Sequence, residues 1–272
     1  MGAPRRDTRG IVDAAGLMAR VRFRRREPAP ALRPYLEHYW LIDWDLERPY
    51  VSTVVPHPSV NVVFQRFADA EPFGEVSGIG LELFEQKLEG RGRVCGVQFR
   101  PGGFRPFAPG RPVSALTGRR VRTDEVWPGR VGAAHDVLAP ADEDARVAAL
   151  DRFLLGLEPA PDPAAGTAMR LADLVRHDRS VRRVDDLARA AGLSVRAVQR
   201  LFAAYVGVGP KWIILRYRIH EALERAEGAA PVDWAALAAR LGYADQAHLV
   251  RDFTATVGVP PTAFGQPAPP GG

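Results

Sequence analysis

Leu187-Ala188-Arg189-Ala190-Ala191-Gly192 returns fifty residues later as Leu237-Ala238-Ala239-Arg240-Leu241-Gly242. Phe202, followed five residues on by Gly207-Val208-Gly209-Pro210, returns fifty-one residues later as Phe253 ahead of Gly258-Val259-Pro260-Pro261. A one-residue insertion in the turn accounts for the change of offset. Two copies are too few for a solenoid, which needs about three. A duplicated helix–turn–helix is the reading that fits.

The chemistry of each copy agrees. A first helix ends at Gly192 or Gly242, the residue type that tolerates a left-handed cap. Ser194 or Asp245 then offers a side-chain oxygen to cap the next helix. The two helices meet across a turn of three or four residues. On the second helix of the first copy, Val198, Leu201, Phe202 and Tyr205 share the apolar face, and Arg196, Gln199 and Arg200 point away from it. In the second copy Leu249 and Phe253 are inward, with Val250 and Val257 beside them, while Gln246, His248 and Arg251 are outward. Arg and Gln suit bidentate contacts to guanine and adenine edges. One such face alone is an ordinary solvated surface. Two, with the same turn chemistry, point to double-stranded DNA.

Working outward, the surroundings of the repeat are helical. Residues 168–177, 184–191, 195–206, 210–227, 233–241 and 245–257 carry apolar residues at i, i+3, i+4 spacing, and a short turn over 261–264 closes the set. Pro210 takes the first turn of the helix between the copies, where its missing N–H costs nothing. About 17 residues there span roughly 25 Å. That places the two second helices about one DNA turn, roughly 34 Å, apart.

Upstream, residues 142–157 read as an amphipathic helix through Val147, Leu150, Phe153, Leu154 and Leu157. Three prolines in Glu158-Pro159-Ala160-Pro161-Asp162-Pro163-Ala164-Ala165-Gly166 read as a stiff, non-helical linker. Before it the pattern is β-like. Val21 and Phe23 alternate with arginines, residues 51–55 and 60–64 are short β-branched runs around Pro56-His57-Pro58, and 94–99 alternate again. Residues 32–44, with Tyr35, Tyr39, Trp40 and Trp44, fit a short helix running into a strand or one bent strand.

The expected fold class is α+β in two domains. Residues 1–157 form a β-rich sandwich- or barrel-like module for sensing or dimerisation, and 158–166 a linker. Residues 167–266 form an all-α double helix–turn–helix, and 267–272 a disordered tail.

The chain has 272 residues, 46% hydrophobic and 25% charged, as in a soluble globular protein. One cysteine excludes an intramolecular disulfide and a Cys-based zinc cluster, and fits a reducing cytoplasm. No apolar run reaches 18 residues, and the first 26 carry eight arginines with no apolar block, so neither a spanning helix nor a secretory signal is expected. Net charge is +5. Residues 167–266 hold 14 Lys and Arg against 10 Asp and Glu, and the remainder 23 against 22, so most of the excess lies in the helical half.

Residues 167–265 resemble the AraC/XylS-type DNA-binding domain of bacterial transcription regulators. Three stretches carry the resemblance: Leu193-Ser194 through Leu201-Phe202, Gly207 and Pro210; Arg218-Ile219 with Ala222-Leu223; and Leu241-Gly242-Tyr243-Ala244-Asp245-Gln246-Ala247-His248-Leu249 through Phe253 to Pro261. The resemblance implies base reading by Arg196, Gln199 and Arg200 from the first copy, and by Gln246, Ala247, His248 and Arg251 from the second. The family often has basic residues after Phe253, where this chain has Thr254-Ala255-Thr256. Tyr39-Trp40, Val55-Pro56-His57-Pro58-Ser59-Val60-Asn61 and Gly96-Val97-Gln98-Phe99-Arg100-Pro101-Gly102-Gly103 resemble the sensor-like domain joined to this unit in many actinobacterial regulators. RNA polymerase, a second copy of the chain and a small-molecule effector of unknown identity are candidate partners. No membrane partner is expected, and the expected location is cytoplasmic.

His38, His57 and His135 show no metal-ligand spacing, and Cys95 on an alternating strand reads as a buried small hydrophobe. The pairs Gly78-Ile79-Gly80 and Gly90-Arg91-Gly92 lack the strand-then-helix context of a phosphate loop. No catalytic residue, metal or cofactor is therefore expected. Tyr39, Trp40, Trp44 and His57 are the candidates for lining an effector pocket. The rival reading is a catalytic or metal-binding amino domain that the helical half recruits to DNA.

Overall fold

The computed structural model describes residues 10–226 and 232–264, so the tail expected at 267–272 lies outside the described residues. Helix α1 (Ala14–Met18) precedes β1 (Arg22–Arg26), β2 (Leu36–Val54), β3 (Asn61–Phe67), β4 (Phe73–Ser77), β5 (Phe84–Phe99) and β6 (Arg120–Arg122). The open question over 32–44 resolves as strand from Leu36 onward. β2 pairs with β1 on one side (Arg22 opposite Asp43) and with β5 on the other (Leu36 opposite Phe99), which satisfies its backbone groups without a helix.

The sheet runs β1-β2-β5-β3-β4-β6, with every neighbouring pair antiparallel. The β2–β5 register breaks between Leu46 and Tyr50, and such an irregularity bends a long strand pair. All six strands contribute residues to the lining of one cavity. The β-rich module is thus a single sheet curled around that space.

Period-two alternation gives the sheet two apolar faces. Tyr39, Leu41, Phe64, Cys95 and Val97 pack under α2 (Thr123–Val126), α3 (Ala133–Leu138) and α4 (Glu143–Leu155). Trp40, Ile42, Trp44, Val63 and Val94 face the other way, toward Leu17 of α1. Helix α4 starts where Asp142 Oδ2 accepts the Ala145 N–H at 2.9 Å. Its Arg146, 2% exposed, reaches the sheet and donates to both oxygens of Asp43 at 3.0–3.3 Å. Burial alone would raise the Asp43 carboxyl. Hydrogen bonds from Arg146, Arg24 and Arg93 outweigh it and hold the carboxyl below its ordinary value. Cys95 is fully buried, and burial pushes its thiol up to about 11, so it is a core side chain and a poor nucleophile.

The carboxy half contains α5 (Pro163–His177), α6 (Val184–Ala191), α7 (Val195–Tyr205), α8 (Pro210–Ala226), α9 (Trp234–Arg240) and α10 (Gln246–Val257). Helix α5 begins inside the stretch expected to be a non-helical linker. Asp162 Oδ1 accepts the Ala164 and Ala165 N–H groups, and Pro163 stands at the first helical position, where proline is tolerated, so the linker character ends at Asp162. Leu187, Val198, Phe202 and Ile213 form the core of the first helix pair. Ile219, Leu237, Leu249 and Phe253 form that of the second, closed by Phe264 at 5.8 Å from the Phe253 ring. Helix α8 contributes to both cores, and Glu221 on it pairs with Arg179 at 2.5 Å and Arg240 at 4.0 Å.

The two halves also touch directly. Arg100 bonds Asp173, Arg176 donates to Glu37 at 2.9 Å, and the buried Arg216 guanidinium donates to the Leu81 carbonyl at 3.2 Å. Among the described residues no carboxylate stands beside it, and burial lowers the Arg216 guanidinium to about 10. It stacks instead on Trp212, 4.4 Å from the ring centroid.

Candidate nucleic-acid interface

Both helix pairs are built with the same local chemistry. Gly192 and Gly242 lie at φ +62° and +76°, the left-handed region that glycine enters without steric cost. The following amides then reach back five residues: Leu193 N–H donates to the Ala188 carbonyl at 3.0 Å and Tyr243 N–H to the Ala238 carbonyl at 2.9 Å. This Schellman closure satisfies carbonyls that the end of a helix leaves open. Three residues after Gly192 the chain enters α7, and four after Gly242 it enters α10. Ser194 Oγ accepts the Ala197 N–H at 3.2 Å, and Asp245 Oδ1 accepts the His248 N–H at 2.7 Å. Gly192 and Gly242 thus stand at the left-handed turns, and Ser194 and Asp245 at the amino ends of α7 and α10.

On α7, Val198 and Phe202 are fully buried and Leu201 and Tyr205 half-buried, while Arg196, Gln199 and Arg200 are exposed along the opposite face. On α10, Leu249, Phe253 and Val257 are buried, and Gln246, Ala247, His248 and Arg251 are exposed. The side chains of Arg196, Gln199, Arg200, Gln246 and Arg251 make no hydrogen bond or ion pair to the other described residues. His248 differs. Its Nε2 lies 3.7 Å from Asp252 Oδ2, and its ring meets that of Tyr243 edge-on at 5.2 Å. Where basic residues often follow Phe253 in the resembled family, Thr254 Oγ1 donates to the Val250 carbonyl of its own helix at 2.8 Å.

The carboxy end of α7 rests on the amino half. Arg105 Nη1 donates to the Ala204 carbonyl at 3.1 Å and its guanidinium lies 4.8 Å from the Tyr205 ring centroid. Thr117 Oγ1 donates to the Gly207 carbonyl at 2.7 Å. A cation and donors at a helix carboxy terminus complement its dipole and its open carbonyls. Sequence reasoning missed Arg105, Thr117 and Arg216, because nothing local to them announces a partner about a hundred residues away.

The candidate pocket residues divide. The cavity, about 260 Å³, is lined by Trp40, Trp44 and His57, with apolar walls including Phe23, Ile42, Val63 and Leu88. Arg25, His38 and Gln98 add polar groups. Tyr39 does not line it. Alternation turns Tyr39 to the helix-covered face, fully buried, with its hydroxyl donating to Asp151 Oδ1 at 2.7 Å. His57 stacks on His220 of α8 with ring centroids 4.1 Å apart, so the cavity rim reaches the helical half.

A family model described as a helix-turn-helix domain matches residues 187–266, and one described as a domain of unknown function (DUF6597) matches residues 24–122. No curated protein matches the chain. Among solved structures, an apo form of a ToxT variant from Vibrio cholerae is 13% identical over 88% of this chain and 98% of its own, with a TM-score of 0.45. Another ToxT structure from Vibrio cholerae is 10% identical over 83% and 96%, with a TM-score of 0.43. ToxT from Vibrio cholerae bound to an unsaturated fatty acid is 11% identical over 90% and 91%, with a TM-score of 0.41. Residues 187–266, with their two capped helix pairs, are therefore a helix-turn-helix domain.

Proposed function

We propose that one chain reads two successive major grooves, α7 entering one and α10 the next, with Arg196, Gln199 and Arg200 on the first base edges and Gln246, Ala247, His248 and Arg251 on the second. The observation that carries this is the pair of exposed Arg/Gln faces, each presented by the same glycine turn and side-chain cap. The 17-residue α8 joining them is about 25 Å long, of the order needed to separate neighbouring grooves. Division of the chain at residues 157 and 167 into an amino-terminal sensing module and this reader belongs to the same proposal. So do a small-molecule effector in the cavity beside Trp40, Trp44 and His57, self-association through the amino half, contact with RNA polymerase, action without enzymatic chemistry, and a cytoplasmic location. Among the described residues no helix is long and apolar enough to cross a membrane.

Alanine at Arg200 or Gln199 tests the reading. Each is expected to cost about 1–3 kcal/mol of specific binding and to relax preference in one half of the site only. A titration at fixed salt against duplexes altered in either half checks it. Equal selectivity of variant and wild type in both halves would remove α7 from the groove.

A further inference from the structure

Two buried apolar side chains of the amino half sit inside the cores of the two helix–turn–helix units. Ile79, 1% exposed, belongs to the core of the first unit with Val198, Phe202 and Ile213. Val55, fully buried, belongs to the core of the second with Ile219, Leu237, Leu249 and Phe253. We propose that Ile79 and Val55 are positioning residues that fix the placement of α7 relative to α10, so that the amino half sets the spacing between the two DNA elements the chain accepts. The inference rests on the two-groove reading and adds to it the element that holds the grooves in phase.

Each anchor is held firmly on its own side. Ile79 follows β4 by two residues. Its carbonyl accepts the Gly118 N–H at 2.9 Å, and the Gly78 N–H donates to the Arg119 carbonyl at 3.0 Å. A Cβ at Gly78 would fall 1.8 Å from the Leu116 carbonyl oxygen, so the two backbones are in direct contact. Leu116 ends the 3₁₀ turn Val113–Leu116, and the hydroxyl of the next residue, Thr117, holds Gly207 beyond α7. Val55 follows β2 directly, and its N–H donates to the Gly10 carbonyl at 2.6 Å. Next to it, His220 Nε2 of α8 donates to the Pro56 carbonyl at 3.3 Å. Leu83 packs at Gly258, which caps α10. Val54, Pro56, Ser77, Gly78 and Gly80 all line the same cavity, so both anchors project from the rim of one closely hydrogen-bonded sheet. Close-packed cores pass on a displacement of such a side chain because they contain little free space. Helix α8 and the Glu221 bridge also join the units, but they attach each on one side only. The two anchors supply the second side.

The experiment uses the full chain and a bipartite duplex selected by the wild type from random sequence. Affinities are measured at one salt concentration for that duplex and for versions with one or two base pairs added or removed between the elements. Wild type is expected to bind the selected spacing roughly tenfold or more above its neighbours, by the scale on which one lost base contact discriminates. For Ile79→Ala and Val55→Ala that ratio should fall toward unity while circular dichroism shows the helical content retained. Ile79→Leu keeps the volume and should restore the ratio. Loss of stability alone would lower affinity at every spacing and leave the ratio unchanged, and an unchanged ratio in a folded variant overturns the inference. Should Ile79→Ala fail to fold, Ile79→Val carries the same comparison with a smaller drop expected, and Val55→Ala decides independently. A wild type that binds its duplex equally well at every spacing also overturns the inference. Failure of the wild type to select any duplex is a different result, and refutes the two-groove reading on which the inference stands.

Discussion

Five base pairs inserted between the two elements of a selected site should reduce binding by one chain to its level on random duplex, a loss of 10³-fold or more if the specific complex has an ordinary margin over non-specific binding. Five base pairs are about half a helical turn, so the second groove segment moves to the far face of the duplex. For α10 to follow, the second unit would have to rotate about α8. The shared packing of Ile213 and Ile219 on that helix, and the bridge from Glu221 to Arg179 and Arg240, oppose such a rotation. A ten-base-pair insertion restores the face but not the distance and should recover little. Electrophoretic titration of the three duplexes measures this. Binding that survives the five-base-pair insertion would mean that only one of the two helices enters a groove.

Asp43→Ala is expected to lower the unfolding free energy by about 3–5 kcal/mol, the usual cost of removing one partner from a buried ion pair. Arg24 retains Glu143, and Arg93 retains the carbonyls of Leu138 and Pro140. Arg146, with its side chain 3% exposed, is left facing the sheet without its carboxylate. The same carboxylate predicts an acid limb. Because the fold holds Asp43 below its ordinary value, its stabilisation is fully present above the ordinary carboxylate range and is lost as pH falls through the depressed value. In denaturant titrations the stability gap between wild type and variant should be smaller near pH 3 than at neutral pH. A constant difference across that range would assign the stability to packing around Arg146 and not to the charge on Asp43.

The helical half was readable because its signals are local. Glycine turns, side-chain caps and apolar spacing repeated at a fixed offset place α7 and α10 within one residue of their observed ends. The amino half was less readable. Tyr39 and Trp40 are neighbours of similar chemistry, and alternation says that they face opposite ways, but only the covering helices decide which face holds the cavity. Residues 32–44 carried aromatics compatible with helix or strand until β1 and β5 were seen on either side. Gly78-Ile79-Gly80, unremarkable as a turn, places an anchor in a core whose other members lie at least 89 residues further along the chain. A contact of that range leaves no periodicity to find. Pro163 opens a helix and does not continue the linker, because Asp162 precedes it and caps it.

That α7 and α10 of one chain each read their own groove is tested by selection of bound duplexes from a random pool. Wild type, Arg200→Ala and Arg251→Ala should be carried through the same selection at the same salt concentration. Wild type should yield a motif of two elements with centres about 10 base pairs apart. Arg200→Ala should flatten one element and Arg251→Ala the other. A single element for wild type, or loss of information from both elements in either variant, would contradict it.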